Sequence, residues 1–364
     1  MKNKQSAKIK NSPRHAASLI PPAQAAHRGA DQQLAERKAT EARKRAEAER
    51  KALEDRVAEL QARLGVVEDI RAADAVAVPQ RKGRVLSTDK RAACAVAAFS
   101  DWHVEERVDS AKVNGLNEFN PQIAAVRARR AFEGVSWLIR EQQSLFTIKR
   151  LVLGLLGDII SGYIHEELLE SNYMSPTHAV VFAKGLIADG IRLLLKDDPD
   201  LEILVVCKCG NHGRTTPKLR IATAVENSYE WLLYQMLASE FSSEPRVSWQ
   251  IDGGHHSVTS VFGLRVHTHH GDSVRSAGGI GGITVPLNRA AIQWREKYDA
   301  DLSIVGHFHQ YLPGTRLMVN GSLVGYGAYS DWLPSAAPEP AQQIFFLVDS
   351  KRGITQQAPI WCAE

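Results

Sequence analysis

From about residue 88 the chain alternates short apolar runs with longer amphipathic stretches. "ACAVAAFSD" (93–101), "RLVLGLLGD" (150–158), "LEILVVCKCGN" (201–211) and "DLSIVGHFH" (301–309) each read as a buried strand that finishes in polar residues. Between them the apolar spacing predicts helices over about 121–146, 176–197, 217–241 and 286–299. Asn120-Pro121 suits the start of the first, as N-cap and first helical residue. Beyond residue 246 strands dominate: "VSWQI", "SVTSVFGLRVHTHH", "TRLMVNGSLVGY" and "QQIFFLVDS". The pattern predicts an α/β chain with a strand-rich second half and layered sheets.

The first quarter of the chain reads differently. Residues 31–75 are rich in Ala, Glu, Arg, Lys and Leu, a long-helix composition. Leu53, Val57, Leu60, Leu64 and Val67 follow one another at spacings of 4, 3, 4 and 3, the seam of a coiled coil. Upstream the same positions hold Ala39, Arg43, Ala46 and Arg50, so only about two heptads carry the pattern. This segment is a candidate for homo-oligomerisation through residues 31–72, against a lone or docked helix. Pro79 and Gly83 mark a linker over 76–90, and 91–364 forms the main domain.

Charge separates the tail from the body. Residues 1–30 contain Lys2, Lys4, Lys8, Lys10, Arg14 and Arg28 and no acid, so they carry +6 of a net +4 and leave −2 for the rest. A disordered basic tail is expected there, able to touch a polyanion such as nucleic acid. Four scattered cysteines make no disulfide framework, and the N-terminal lysines precede no apolar signal core. No apolar run approaches the roughly 20 residues of a membrane span. A cytoplasmic protein without a membrane partner is therefore expected.

The ends of the predicted strands carry the chemistry. In order they offer Asp101 and His103, Asp158, Asn211 and His212, His270 with Asp272, and His307 with His309. Ligand chemistry in open α/β sheets collects at the carboxyl ends of strands. Five loops bringing Asp, Asn and His to one edge would build a site of mixed oxygen and nitrogen donors. Such a set suits Mn, Fe or Zn better than Mg or Ca. "CKCGNHGR" (207–214) also invites a thiolate zinc reading. Cys207 and Cys209 have no second Cys pair, however, and read as small apolar strand residues.

In this order, "SDWH", "GD", "GNH", "HHGD" and "GHFH" resemble the five motifs of the calcineurin-like metallophosphoesterases over about residues 95–330. Longer stretches such as "GDIISGYIHEEL" and "GNHGRTTPK" are similar to a phage-encoded branch described as phosphoesterases or exonucleases, whose setting is the bacterial host cytoplasm. The resemblance implies a layered α/β/β/α sandwich, here with an N-terminal helical extension, and two divalent metal ions. Manganese is the first choice; Fe, Zn, Ni and Co are alternatives. Asp101, His103 and His309 would hold one ion, Asn211, His270 and His307 the other, and Asp158 would bridge them. The resemblance further implies attack by metal-activated hydroxide, with His212 as general acid. His267 and His269 are read as structural.

Departures from the family narrow the substrate. Its protein phosphatases follow "GD" with an acidic-arginine signature and "GNH" with a glutamate, whereas here Ile159, Ile160 and Ser161 follow Asp158 and Gly213 follows His212. Nucleases of the superfamily commonly carry an acid after "GNH"; if that acid orients the histidine, either another carboxylate does so here, with Asp272 as one candidate, or His212 works less effectively. Arg214 is a candidate phosphate contact through its two-pronged guanidinium. Lys218 and the glycine-rich 273–283 loop are candidate borders of the cleft. The expected function is a phosphodiesterase, first of all a nuclease acting on DNA or RNA. The alternatives are a phosphatase or phosphodiesterase for nucleotides or cyclic nucleotides, and a binding or assembly protein acting through its N-terminal helix.

Overall fold

A computed structural model describes residues 22–74, 90–275, 282–332 and 338–363. The chain divides into two units, residues 1–86 and 87–364. In the first, helix α1 (Pro22–Asp74) takes in residues 22–30, which composition assigned to the tail. The rest of that tail, and all of the expected linker but Lys90, lie outside the described residues. Leu53, Val57, Leu60 and Leu64 are each more than half exposed along α1.

The second unit opens with β1 (Arg91–Phe99) and α2 (Pro121–Gln142), followed by β2 (Phe146–Leu155), α3 (Glu166–Ser171) and α4 (Pro176–Asp197). Next come β3 (Glu202–Cys207), α5 (Tyr229–Glu240), β4 (Val247–Ile251), β5 (Ser257–Val261) and β6 (Leu264–His269). The unit ends with α6 (Thr284–Tyr298), β7 (Leu302–Val305), β8 (Leu317–Val319), α7 (Ala328–Trp332), β9 (Gln342–Asp349) and β10 (Gly353–Trp361). One sheet has the order β10-β9-β1-β2-β3-β4 and the other β5-β6-β7-β8. β1 to β4 run parallel, as do β6 to β8, while β9, β10 and β5 pair antiparallel.

Both faces of the first sheet's inner strands are buried, which is why they read as continuous apolar runs. Along β1, Ala93, Ala95, Ala97 and Phe99 pack towards α2 and α4, and the alternate Cys94, Val96 and Ala98 pack against the second sheet. That inter-sheet core includes Val261, Val266, Ile304 and Met318. Leu287 of α6 covers the outer face of the second sheet at Val305 and Val319. The layers are thus α/β/β/α, as expected.

Three local readings change. The helix expected over 217–241 is confined to α5; the residues before it form turns and a short 3-10 helix at Val225–Asn227, closed where Thr215 N donates to Asn227 O and Asn227 Nδ2 to Thr223 O. "SVTSVFGLRVHTHH" is two strands joined at Phe262-Gly263, both at positive φ, as a tight hairpin turn requires. β10 is a sheet edge whose residues are largely half-exposed, so it lacks an apolar run.

Candidate metal centre

Parallel pairing sends β1, β2 and β3 out at one edge of the first sheet, and β6 and β7 do the same for the second. The five polar loops therefore meet. Leu323 N donates to Asp101 O, Gly306 N to His270 O, and Trp102 N and His103 N to Asp158 O, so the loops are tied together by their own backbones. Among the described residues, eight non-glycine residues have positive φ, and five of them are Asp101, His103, Asp158, His307 and His309. That conformation costs an L residue about 1 kcal/mol or more, and it persists where the surroundings over-determine it. Its concentration on residues chosen for their donor atoms marks the edge as a built site.

Two groups of donors result. Asp101, His103 and His309 present ligand atoms within 4.8 Å of one another, and so do Asp158, His270 and His307. In the first group His103 Nε2 and His309 Nε2 are 3.3 Å apart, and His309 Nε2 is 3.5 Å from Asp101 Oδ1. In the second, His270 Nε2 lies 2.9 Å from Asp158 Oδ2 and 3.2 Å from Asn211 Oδ1. Asn211 thereby joins this group. Each expected metal ligand falls in one group or the other.

The donors fit a cation. His270 Nδ1 donates to Leu156 O at 2.8 Å, so the lone pair of Nε2 is left facing two oxygens that can only accept. A positive charge must stand among them, either a proton or a metal ion. Without an ion, burial opposes charge on His270, yet Asp158 outweighs it and holds the imidazole well above its usual range. Burial alone would raise the Asp158 carboxyl, but His270 and His212 hold it well below the usual carboxylate range. Burial, and then His212 and His309, push His103 well down, leaving it a neutral donor. Oxygen and imidazole nitrogen together form a mixed donor set of the kind that transition metals take.

His212 stands beside both groups. Its backbone N donates to Asp158 Oδ1 at 2.8 Å, and its ring lies 4.8 Å from that of His103. Nδ1 donates to Ser161 O at 3.0 Å, so a backbone carbonyl orients the imidazole and leaves Nε2 for chemistry. A backbone carbonyl thus takes the orienting place for which Asp272 was the candidate. Asp272 instead lines a hollow beside Gly210, with Arg214, Arg220, Asn227, Ser228 and His255. Arg214 borders that hollow while its guanidinium ties the loop, donating to the carbonyls of Thr216, Asn211 and Pro217.

Supporting residues escaped sequence reasoning. Ser161 Oγ lies 3.0 Å from His103 Nδ1 and donates to Glu106 at 3.5 Å. Glu105, fully buried, accepts the N–H groups of Ser161 and Gly162, and burial pushes its carboxyl up to about 7. His165, exposed at the N-cap of α3, brings its ring to 5.8 Å from His212. Only the departure at Gly213 hinted at any of them.

Among the described residues, His267, His269 and the cysteines stand outside both donor groups. His269 Nδ1 accepts the Gly271 N–H, and His267 bonds Ser303 and His256 and stacks on Tyr298. Cys207 is buried and Cys209 half-buried, both free; burial pushes the Cys209 thiol up to about 12 and Cys207 well above its usual range. Residues 276–281 of the glycine-rich loop lie outside the described residues. No described helix is long and apolar enough to cross a membrane.

No protein-family profile and no curated protein matches the chain. Among solved structures it is similar to Vps29 of Chaetomium thermophilum, at 12% identity over 73% of this chain and 97% of that one, with a TM-score of 0.30. It is similar also to hypothetical protein PH1004 of Pyrococcus horikoshii OT3, at 13% identity over 73% and 86%, TM-score 0.32. A further similarity is to the phosphopantetheinyl hydrolase PptH of Mycobacterium tuberculosis, at 12% identity over 67% and 94%, TM-score 0.26.

Proposed function

We propose that the chain is a metal-dependent phosphoesterase that hydrolyses phosphodiester bonds, with DNA or RNA as its substrate class. The observation that carries this reading is the pair of donor groups at one sheet edge, with Asp158 in one of them and also bonded to the backbone of His212. Asp101, His103 and His309 would hold one divalent ion. Asn211, His270 and His307 would hold a second, with Asp158 shared between the two. Two such ions supply charge neutralisation at phosphorus and a water acidified to a pKa of about 7.

The chain's own residues do the rest. The Ser161 carbonyl holds the Nδ1–H of His212, so a proton on Nε2 is the one available to a leaving alkoxide. A phosphate anion beside the ring favours the protonated form and offsets the lowering that burial causes. The hollow lined by Arg214, Arg220 and His255 supports an anionic substrate that extends past the scissile bond.

The test is a substrate panel with Mn²⁺: bis(p-nitrophenyl) phosphate, single- and double-stranded DNA, RNA, nucleotides and cyclic nucleotides. Hydrolysis of the generic diester and of a polynucleotide, both lost in Asp158→Ala, is the expected result. Cleavage of nucleotides or cyclic nucleotides alone would transfer the assignment to a small-molecule enzyme. Inactivity with Mn²⁺, Fe²⁺, Co²⁺, Ni²⁺ and Zn²⁺ would refute the enzymatic reading.

A further inference from the structure

Glu230 stands in the first turn of α5, where a charged residue ordinarily faces water, yet it is 0% exposed. Its two carboxylate oxygens go to two different loops. Oε1 accepts the N–H of Ile159 at 2.6 Å, the residue after Asp158. Oε2 accepts the N–H of Gly210 at 2.6 Å, the residue before Asn211. The helix is docked on the same loop, since Tyr229 N donates to Gly213 O at 2.8 Å and Ser228 caps Glu230 N. A Cβ on Gly213 would lie 2.6 Å from Glu230 Cγ and 2.9 Å from Cδ, so no larger residue fits there while Glu230 is in place.

We propose that Glu230 is the positioning residue of the metal centre: one carboxylate from α5 fixes the Asp158 loop against the Asn211 loop, and position 213 is glycine to admit it. Burying a carboxylate is costly unless its oxygens are bonded, and here burial and the Asp158 charge push Glu230 up to about 8. A role in packing alone would be served by an apolar side chain, which would orphan two buried N–H groups in the ligand loops. A side chain at position 213 and the Glu230 carboxylate exclude each other sterically, which makes the idea testable by exchange. It rests on the metal-centre reading above.

The full-length protein is compared with Glu230→Gln, Glu230→Ala and the double variant Gly213→Glu/Glu230→Ala. Mn²⁺ affinity and stoichiometry are measured by calorimetry, and amide hydrogen exchange at Ile159 and Gly210 in the metal-free protein. Glu230→Gln keeps the shape but aims an NH₂ group at one of the two N–H donors. It is expected to weaken Mn²⁺ binding about 10–100-fold and to speed exchange at one or both amides, with kcat falling more than KM rises. The double variant is expected to recover most of the affinity lost in Glu230→Ala. If Glu230→Ala does not fold, Glu230→Gln decides. Wild-type affinity together with wild-type protection of both amides in Glu230→Gln would overturn the proposal. A wild-type chain that binds no Mn²⁺ would sink the phosphoesterase reading, while the exchange measurement still decides whether Glu230 joins the loops.

Discussion

Replacing Gly210 by alanine tests whether the approach of the loops sets the chemistry. A Cβ there would stand 2.1 Å from Asp158 Oδ1 and 2.4 Å from Asp158 N. Ordinary contact begins at 3.4 Å, so the carboxylate must retreat by about 1.3 Å or the loops must part. Bonds to a metal tolerate only about 0.2 Å, so under the proposed assignment Asp158 would be lost as a ligand to either ion. His212 loses its place as well, because its N–H is held by that same Oδ1. Misplacement by about 1 Å costs on the order of 10²-fold in rate, or about 2.7 kcal/mol of transition-state stabilisation, on top of an overpacking cost of about 1–3 kcal/mol in stability. The assay is hydrolysis of bis(p-nitrophenyl) phosphate with Mn²⁺, alongside metal content and melting temperature. Gly185→Ala is the control, since its added Cβ meets nothing within 4 Å. A Gly210→Ala variant that keeps two bound ions and a kcat/KM within twofold of wild type would refute the reasoning.

Three further outcomes are expected. Gly190→Ala, whose Cβ would meet the Phe132 ring at 2.0 Å where α4 crosses α2, loses about 1–3 kcal/mol in denaturant unfolding, while Gly185→Ala in the same helix gains about 0.5–1 kcal/mol; equal effects of the two would contradict the packing account. Burial, and then His256, hold the His267 imidazole at about 3 against an ordinary 6.5, so the folded state keeps it neutral while the unfolded state takes up a proton. Its stabilising contribution is complete above pH 6.5 and is lost as pH falls from there towards 3, with a slope of up to about 1.4 kcal/mol per pH unit; His267→Gln should flatten the measured slope between pH 6.5 and 4.5, and an unchanged slope would place the titration elsewhere. Cys207→Ala combined with Cys209→Ala keeps the metal stoichiometry, because neither thiol belongs to a donor group; loss of an ion would bring sulfur into the centre.

What the sequence disclosed and what it hid follow from the range of the interactions. Asp101, Asp158, Asn211 and His307 were legible because each stands within a few residues of a strand end, and strands announce themselves by local apolar runs. Parallel pairing then carries all these ends to one edge. The first half of the helix expected over 217–241 failed because helical spacing is a local signal, while a backbone bond from Thr215 to Asn227 and the Asn227 side-chain amide on Thr223 O hold that segment in a loop. β10 failed because an edge strand with half-exposed faces has no run to detect.

The supporting residues are hidden for a deeper reason. Glu230 follows Gly213 by a whole loop, and its helix register gives no sign that its carboxylate is buried. Ser161 orients His212 through a carbonyl, a group that every residue possesses and that no sequence can flag. A site of this kind divides its information unequally: donor atoms are specified by residue type, whereas their spacing is specified by backbone contacts between loops. The sequence trace of those contacts is the missing side chain. Gly210 and Gly213 are small because an Asp158 carboxylate and a Glu230 carboxylate occupy the space a Cβ would need. An unexpected glycine beside a ligand is therefore best read as the footprint of a group arriving from elsewhere in the chain, and at position 213 that group is Glu230.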